Sequence, residues 1–449
     1  MAFSLFSRPA VKAILPGLYQ FDIRDGEAKS RIHLRLDEDL SGLLVVNAAK
    51  VIHLNSTAGQ MAYLHLNKVE HSAAIRTMQR LFNVKPKELE ADYSAITARI
   101  DAIMDESSDL CPICDLGIET NMPFSAHLSA PYRMDLALTY RCNNNCAHCY
   151  NARPRNYPEL DTKTWKLIID KVWDLRIPHL VFTGGEPTLR SDLAELIDYA
   201  QSKGMVTGLN TNARALKDLN LVQQLVAAGL DHVQITVESY SPAIHDEIVR
   251  AQGAWQDTLS GLRNVVNSRL YLMTNTTLLE NNAGELDRIL HFLAGEHVPT
   301  IGLNALIYSG RGAEVKTGLK ETELPALLQQ AIDFTNVSGQ RLIWYTPTEY
   351  CHFDPTQLAL GVKGCTAAYY NMCVEPDGQV IPCQSYYTTL GSILETDWDS
   401  IWNHPLAFQL RERRNAPEGC RQYDYFLECG GGCPMAREHQ TITPFLKPI

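Results

Sequence analysis

Residues 136–150 read LALTYRCNNNCAHCY. A short apolar run, Leu136 to Leu138, leads into a polar, Asn-rich loop carrying Cys142, Cys146 and Cys149. That change of pattern predicts a strand ending where the cysteines begin. Three thiols within eight residues can converge on one point. Four thiolates would close a tetrahedral metal site, whereas three leave one coordination position open for chemistry. Cysteine loops with such short spacings also hold iron–sulfur clusters. On these residues alone, a zinc loop and unligated structural thiols are the competing readings.

Downstream of this loop, strands and helices alternate from Met134 to about residue 340. Strands are expected at 135–140, 179–183, 205–211, 232–238, 270–278 and 300–306. Helices are expected at 161–174, 190–203, 215–228, 255–268, 283–296 and 321–336. Alternation of this kind predicts a parallel sheet wrapped by helices, whose chemistry sits at the carboxyl ends of the strands. Polar motifs fall at those ends. Thr183-Gly184-Gly185-Glu186-Pro187 follows the second strand, with two glycines open to close approach and a carboxylate acceptor. Asn210-Thr211-Asn212 follows the third strand. Thr236, Glu238, His245 and Arg250 follow along and after the fourth. Polar residues at strand ends often do no more than satisfy turns, and Asn275 and Asn282 carry the weakest signal.

The spacing C-x3-C-x2-C followed by an aromatic residue resembles the signature of the radical S-adenosylmethionine enzymes. In that family the three cysteines hold three irons of a [4Fe–4S] cluster, and the fourth iron chelates S-adenosylmethionine. The resemblance implies that Cys142, Cys146 and Cys149 are those ligands. It implies a partial (β/α)6 barrel of the TIM type over residues 134–340. Gly184, Gly185, Glu186 and Pro187 match the family's GGEP motif, which meets the amino group of S-adenosylmethionine. Asn212, Thr236, Glu238 and Arg250 are the further cofactor-binding positions implied. Three features depart from the family's usual form. His148 replaces a different aromatic, Glu238 stands where aspartate is more usual, and Arg250 lies one residue later than its commonest position.

Upstream, residues 31–37 (RIHLRLD) alternate, and 43–54 (LLVVNAAKVIHL) are strand-prone with a break at Asn47-Ala48-Ala49. Asn55-Ser56-Thr57 offers helix caps, and helices are expected at 58–66, 71–82 and 86–104. A strand meander followed by three helices, over residues 25–107, is similar to the winged-helix peptide-recognition domain of maturases of ribosomally made peptides. The small peptide chaperone of pyrroloquinoline-quinone biosynthesis shares that fold. The resemblance implies leader-peptide capture at an edge strand. A DNA-binding winged helix is the rival. Residues 108–133 read as a linker containing the pair Cys111 and Cys114, to which no role is assigned.

Residues 341–449 hold a second cysteine group. Cys365 is followed by twelve residues, Gly378, four residues and Cys383, and CVEPDGQVIPC (373–383) reads as a hairpin turning at Asp377-Gly378. Cys420, Cys429 and Cys433 follow, while Cys351 has no assigned role. The pattern is similar to the SPASM or twitch-type auxiliary-cluster domain of radical enzymes that mature peptides. The resemblance implies one complete auxiliary [4Fe–4S] cluster on Cys365, Cys373, Cys383 and Cys433. A second cluster would keep only Cys420 and Cys429, because Tyr423 stands at the next cysteine position and none follows Cys433. Two clusters, one with other ligands, and a zinc ribbon are the alternatives. Gln384 occupies a place where some relatives carry a catalytic acid, which leaves the catalytic acid or base unknown.

Composition frames these expectations. At 449 residues the chain is long enough for two or three domains. A formal net charge of −11 argues against a nucleic-acid surface, and no apolar run is long enough to span a membrane. No secretory signal is legible at the amino terminus, and clustered cysteines in a chain of this size point to metal binding rather than disulfides. Taken with these priors, the resemblances imply a cytoplasmic α/β radical S-adenosylmethionine maturase. It would cleave its cofactor to a 5′-deoxyadenosyl radical and crosslink or otherwise functionalise a ribosomally made peptide. Its partners would be a precursor peptide with a leader and a ferredoxin- or flavodoxin-type electron donor. The alternatives are the same chemistry on a small cofactor or haem-type precursor, and a non-catalytic peptide-binding iron–sulfur protein.

Overall fold

The computed structural model describes residues 14–25, 28–46, 50–82, 85–104 and 128–439. Two compact units divide the chain after residue 121. Cys111, Cys114 and the expected break at Asn47-Ala48-Ala49 lie outside the described residues.

The first unit is an antiparallel meander of β1 (Gly17–Asp25), β2 (Ala28–Leu36), β3 (Gly42–Val46) and β4 (Lys50–Leu54), paired in that order. The meander has one strand more than expected, β1, which begins ahead of residue 25. Three helices follow: α1 (Ser56–Leu66), α2 (His71–Leu81) and α3 (Pro86–Met104). Asn55 Oδ1 accepts the Ala58 N–H at 2.8 Å and starts α1. Glu70 caps α2 through the N–H groups of Ser72 and Ala73, each at 3.0 Å. Strand alternation sends Ile32, Leu34 and Leu36 to one face, where they pack with Leu44, Val46 and Leu54 against Ala58, Ala62 and Ile100. Burying three such strand side chains contributes on the order of 5 kcal/mol, which entropy largely offsets.

The second unit is built on one ten-stranded sheet. Its chain-ordered parallel run is β5 (Arg133–Thr139), β6 (His179–Gly184), β7 (Val206–Thr211), β8 (His232–Thr236), β9 (Tyr271–Thr277), β10 (Thr300–Asn304) and β11 (Arg341–Trp344). The connecting helices are α4 (Thr162–Asp174), α5 (Leu193–Lys203), α6 (Leu219–Ala227), α7 (Pro242–Val249), α8 (Ala254–Val266), α9 (Leu286–Gly295) and α10 (Leu324–Ser338). The six expected strands are all present, and β11 adds a seventh beyond residue 340. The expected helix starts at 190 and 215 move to Leu193 and Leu219, each preceded by a separate short turn, Pro187–Leu189 capped by Glu186 and Ala215–Lys217, with Asp218 capping the helix that follows the second. Helix α7 was not expected; its signal is Ser241-Pro242, a cap residue with proline at the first helical position.

One side of this sheet faces the helices. Leu136, Leu138, Leu180, Phe182, Leu209, Val233, Ile235, Ile301 and Leu303 join Trp165, Ile168, Leu196 and Leu225 in a single apolar cluster. Alternation puts Thr183, Asn210, Gln234, Thr236 and Asn275 on the opposite, inner side. An inner face of amides and hydroxyls suits a polar ligand.

Low on that inner face the rings of His179 and His232 meet, Nε2 to Nε2, at 2.9 Å. A Cβ on Gly208 would lie 2.1 Å from the His232 ring, so the ring has no room on that side. Burial, reinforced by the Arg133 charge, lowers the His232 pKa from 6.5 to about 4. Between those values the unfolded chain binds a proton that the folded chain refuses, so stability rises with pH across this window and is lost as pH falls towards 4. The expected result is a urea midpoint that declines from pH 6.5 to pH 5, with a shallower slope in His232→Gln. Equal slopes would remove His232 as the cause.

The remaining strands extend the sheet past β5. β12 (Asn371–Val374) pairs parallel with β5, and β13 (Gln379–Ile381) and β14 (Gly391–Ser392) follow antiparallel. The C-terminal segment completes itself with α11 (Trp398–Trp402), α12 (Pro405–Arg411), α13 (Phe426–Cys429) and α14 (Pro434–His439). The expected hairpin at 373–383 is this β12–β13 pair, turning at Gly378 with φ 87°.

Candidate functional site

The three-cysteine loop leaves the carboxyl end of β5 and is fastened from several sides. The N–H groups of Asn145 and Ala147 bond the carbonyls of Val249 and Ile248 at 2.9 and 2.8 Å. These are last-turn carbonyls of α7, which have no partner within the helix, so loop and helix end satisfy each other. Three arginines absent from the sequence reading grip the loop. Arg155 bonds the Cys142 and Asn144 carbonyls, Arg214 bonds the Asn143 carbonyl at 2.7 Å, and Arg311 bonds Asn145 Oδ1. Gly312 N–H reaches the Cys149 carbonyl at 3.3 Å. No local spacing marks these arginines, since each comes from a different loop.

Cys142, Cys146 and Cys149 are free thiols. Burial first, with Glu186 and Cys149 adding to it, raises the Cys142 pKa to about 11. Cys146 lies well above the ordinary thiol range, again through burial first and then through Cys149, Glu238 and Cys142. Thiols held together in this way are unfavourable as bare thiolates. A cation at their centre reverses that balance, because metal coordination deprotonates thiols outright. The loop therefore fits an iron–sulfur cluster: three converging sulfurs, fixed backbone and arginine charge around its rim.

The loop after β6 packs closely against the base of the cysteine loop. A Cβ on Gly184 would fall 2.1 Å from the Thr139 carbonyl, and one on Gly185 would fall 2.3 Å from the Arg141 carbonyl. These glycines make room for the base of the cysteine loop. Gly185 and Glu186 N–H groups bond those same two carbonyls at 2.7 and 2.8 Å. The Glu186 carboxylate is fully buried and accepts from Thr188, Thr211 Oγ1 at 2.7 Å and Asn212 N–H at 2.8 Å. Its side chain thus welds the loops after β6 and β7 together. Pro187 is buried behind it. Asn212, placed by that weld, extends its amide to Asn143 Oδ1 at 2.7 Å and lies 4.0 Å from Cys142 Sγ.

At the end of β8, Glu238 is fully buried and meets His148 Nε2 at 3.1 Å. Its other carboxylate oxygen accepts the Thr277 N–H at 3.0 Å. The two departures noted in the sequence, His148 and Glu238, are thus one pair bridging the cysteine loop and β8. Asn282 joins the same corner through the Glu238 and Thr277 carbonyls. Thr236 sits on the inner face at the strand end, and Arg250 is exposed in the left-handed turn that ends α7.

The second cysteine group gathers beside the first. Cys365 is raised by burial and by Cys433 and Cys383, and Cys383 to about 11 by burial with Cys433 nearby. Cys373, on β12, feels Asp135, Glu375 and Cys383 after burial. Cys433 is raised chiefly by burial. Cys420 and Cys429 stand apart from these four, against Glu349. Between the groups runs a polar bridge: Tyr150 hydroxyl donates to Gln384 Oε1 at 2.8 Å, and Gln384 Nε2 donates to Asp135 at 2.7 Å. Tyr150 follows Cys149 and Gln384 follows Cys383, so the two loops are tied one residue from a sulfur on each side. Asp135 is fully buried, so an amide donor suits position 384 and a carboxylate there would oppose it. Gln384 is the middle member of this bridge.

Comparison with known proteins agrees with this geometry. The model of the Radical SAM superfamily matches residues 136–293, and that of the SPASM iron–sulfur cluster-binding domain matches residues 365–424. The mycofactocin maturase of Mycolicibacterium smegmatis is 29% identical over 325 residues, covering 70% of this chain and 81% of that protein. The PqqA peptide cyclase of Rhizobium meliloti is 28% identical over 315 residues, covering 68% and 82%. Among solved structures, Streptococcus suis SuiB bound to its precursor peptide SuiA has the same fold over 94% of this chain and 97% of that one, with a TM-score of 0.68 at 15% identity.

Proposed function

From a chain that carries a radical S-adenosylmethionine barrel and a SPASM cluster domain, and is a radical S-adenosylmethionine enzyme, we infer a maturase that crosslinks or otherwise functionalises a C–H position of a ribosomally made peptide. The observation that carries this reading is the pairing of two cysteine sites on one sheet with a separate amino-terminal meander. Relatives named as a mycofactocin maturase and a PqqA peptide cyclase support a peptide substrate. The first unit adds an edge strand at either side of its sheet, β1 and β4, and main-chain addition at such an edge is a general mode of peptide capture. Leader capture there would raise the effective concentration of the core peptide at the barrel.

Cys142, Cys146 and Cys149 would hold the cluster that binds S-adenosylmethionine, and Cys365, Cys373, Cys383 and Cys433 an auxiliary one. When bound, the first cluster supplies one-electron reductive cleavage of the sulfonium group and so a carbon radical that abstracts hydrogen. The protein's own share is orientation and exclusion of water. Main chain at Gly184 to Pro187, with Asn212 and Thr236, would line the cofactor's place on the inner face. Glu186 acts through Asn212 and Thr211 rather than by its own carboxylate. His148 and Glu238 would fix the cysteine loop against β8, and Arg250 is the peripheral member. A ferredoxin- or flavodoxin-type protein would deliver the electron.

The test is anaerobic protein with reconstituted clusters, a strong reductant and S-adenosylmethionine, with and without the short peptide encoded beside its gene. The expected result is 5′-deoxyadenosine above a Cys142→Ala control and a peptide that has lost hydrogen. Cofactor cleavage with no change in any neighbouring peptide would move the substrate to a small molecule. No cleavage above the control would leave only a non-catalytic iron–sulfur protein.

A further inference from the structure

Most cations around the three-cysteine loop are neutralised. Arg141 pairs with Glu159 at 3.0 Å, Arg190 with Asp192 at 2.6 Å, Arg214 with Asp257 at 3.1 Å, and Lys217 with the same Asp257 at 2.8 Å. Three arginines differ. Among the described residues, no carboxylate oxygen lies within 4.0 Å of Arg155, Arg250 or Arg311. We propose that these three form the docking surface for a small acidic one-electron carrier protein, of the flavodoxin or ferredoxin type, over the outer side of the loop.

The three gather around one exposed residue, Asn145, which lies between Cys142 and Cys146. Asn145 Oδ1 accepts Arg155 Nη2 at 3.2 Å and also accepts Arg311 Nη1. The Asn145 N–H bonds the Val249 carbonyl at 2.9 Å, and Arg250 is the next residue in the chain. Arg155 and Arg250 are exposed, and Arg311 is half-buried. Carbonyl and amide oxygens orient the Arg155 and Arg311 guanidinium groups but leave their charge uncancelled, because those acceptors are neutral. Arg155 also bonds the Cys142 carbonyl, and its charge works against burial at the Cys142 thiol. The patch therefore stands directly beside a ligand sulfur. The acids that precede Arg250 are engaged elsewhere. Asp246 accepts the N–H groups of Gly253 and Trp255 at 2.6 and 2.7 Å, and Glu247 meets Asn281 Nδ2 at 3.3 Å.

The charge of the whole chain makes this location informative. At a formal net charge of −11 the protein repels an acidic carrier over most of its surface. Three arginines without counter-charges then select where such a carrier approaches, and that place is the outer side of the loop that holds the first three sulfurs. Electron transfer needs close approach rather than a large interface. Weak redox encounters bury little area and draw their speed and orientation from complementary charge. The step itself is an outer-sphere transfer. The carrier is oxidised by one electron, the first cluster is reduced by one, and no bond or proton moves between them.

The inference rests on the reading of the chain as an enzyme whose first cluster takes an electron from outside, and two measurements keep the two apart. Association of full-length, cluster-loaded protein with oxidised flavodoxin is followed by surface plasmon resonance under anaerobic conditions. Reduction of the clusters by reduced flavodoxin is followed by stopped-flow absorption and electron paramagnetic resonance, beside reduction by photoreduced deazaflavin. Raising the salt from about 0.01 M to about 0.15 M shortens the screening length from about 30 Å to about 8 Å, and association is expected to slow at least about tenfold. Arg250→Glu reverses one charge of the patch. Asn156→Glu adds a negative charge at the exposed neighbour of Arg155. Each is expected to slow association about threefold or more, and to lower the ratio of flavodoxin-driven to deazaflavin-driven reduction by a similar factor. Val337→Glu adds the same charge at a 90% exposed position on α10 and is expected to change neither.

An association rate that ignores salt, or that is equal in Asn156→Glu and Val337→Glu, overturns the proposal while leaving the enzyme reading intact. So does a patch whose variants weaken binding of the neighbouring precursor peptide but not of flavodoxin, since the arginines would then serve the substrate. Deazaflavin that reduces no cluster lost in Cys142→Ala overturns both.

Discussion

Cys146→Ala is expected to abolish cleavage of S-adenosylmethionine, a fall of at least about a hundredfold, while the C-terminal iron stays bound. The expectation follows from how the loop is held. Burial acts most strongly on the Cys146 thiol, and Cys149, Glu238 and Cys142 act on it as well. Its removal leaves two thiolates, too few to retain a cluster with a single open iron. The frame survives the change, because Asn145 and Ala147 bond the end of α7 through main chain and Arg155 and Arg214 bond loop carbonyls. Iron content should drop by about four per chain. 5′-Deoxyadenosine formation should match the rate without protein, and far-ultraviolet circular dichroism should stay unchanged. Retention of cleavage would mean that these cysteines do not carry the reacting cluster.

The residues that made this legible were local. Cys142, Cys146 and Cys149 lie within one loop, so their spacing shows in the sequence, and the alternation that follows announces a parallel sheet before any strand is paired. What stayed hidden depends on residues far apart in the chain. His148 and Glu238 each looked like a small departure from a family pattern, and only the fold shows that they meet across ninety positions as a compensating pair. Cys351 was one cysteine without a neighbour until β11 carried its segment to α13. The glycines of Thr183 to Pro187 were legible as a motif, but one packing reason for them was not. Their missing side chains make way for the Thr139 and Arg141 carbonyls, a contact that no local spacing can express. The seventh strand, Arg341–Trp344, is too short to carry a clear period.

The second large effect is expected at the joint between barrel and cluster domain. Glu375, on the turn side of β12, is fully buried and receives Arg153 through two hydrogen bonds, Nε to Oε1 and an Nη to Oε2, both at 2.7 Å. Tyr140 hydroxyl adds a third donor at 3.1 Å. The Arg153 guanidinium also lies 5.3 Å from the ring centres of Tyr157 and Tyr387. The Glu375 hydrogen bonds raise the Arg153 pKa, and burial raises that of Tyr140 far above its ordinary value, so neither can relieve the other by titrating near neutrality. Arg153→Met strands the Glu375 carboxylate in a closed space and should destabilise the domain by about 3–5 kcal/mol. Glu375→Gln keeps the shape and a hydrogen-bonding oxygen and should cost less. Arg153→Met combined with Glu375→Leu removes both charges and should recover most of the loss, because paired burial is expensive chiefly when one partner is left alone. Clusters make unfolding other than two-state, so the readout is the urea concentration at which the visible absorption of the C-terminal iron disappears. Cys373 and Cys383 flank this hairpin, so the joint and the auxiliary cluster should fail together. A single variant that loses iron no earlier than the double would show that Arg153 and Glu375 do not hold the two parts in register.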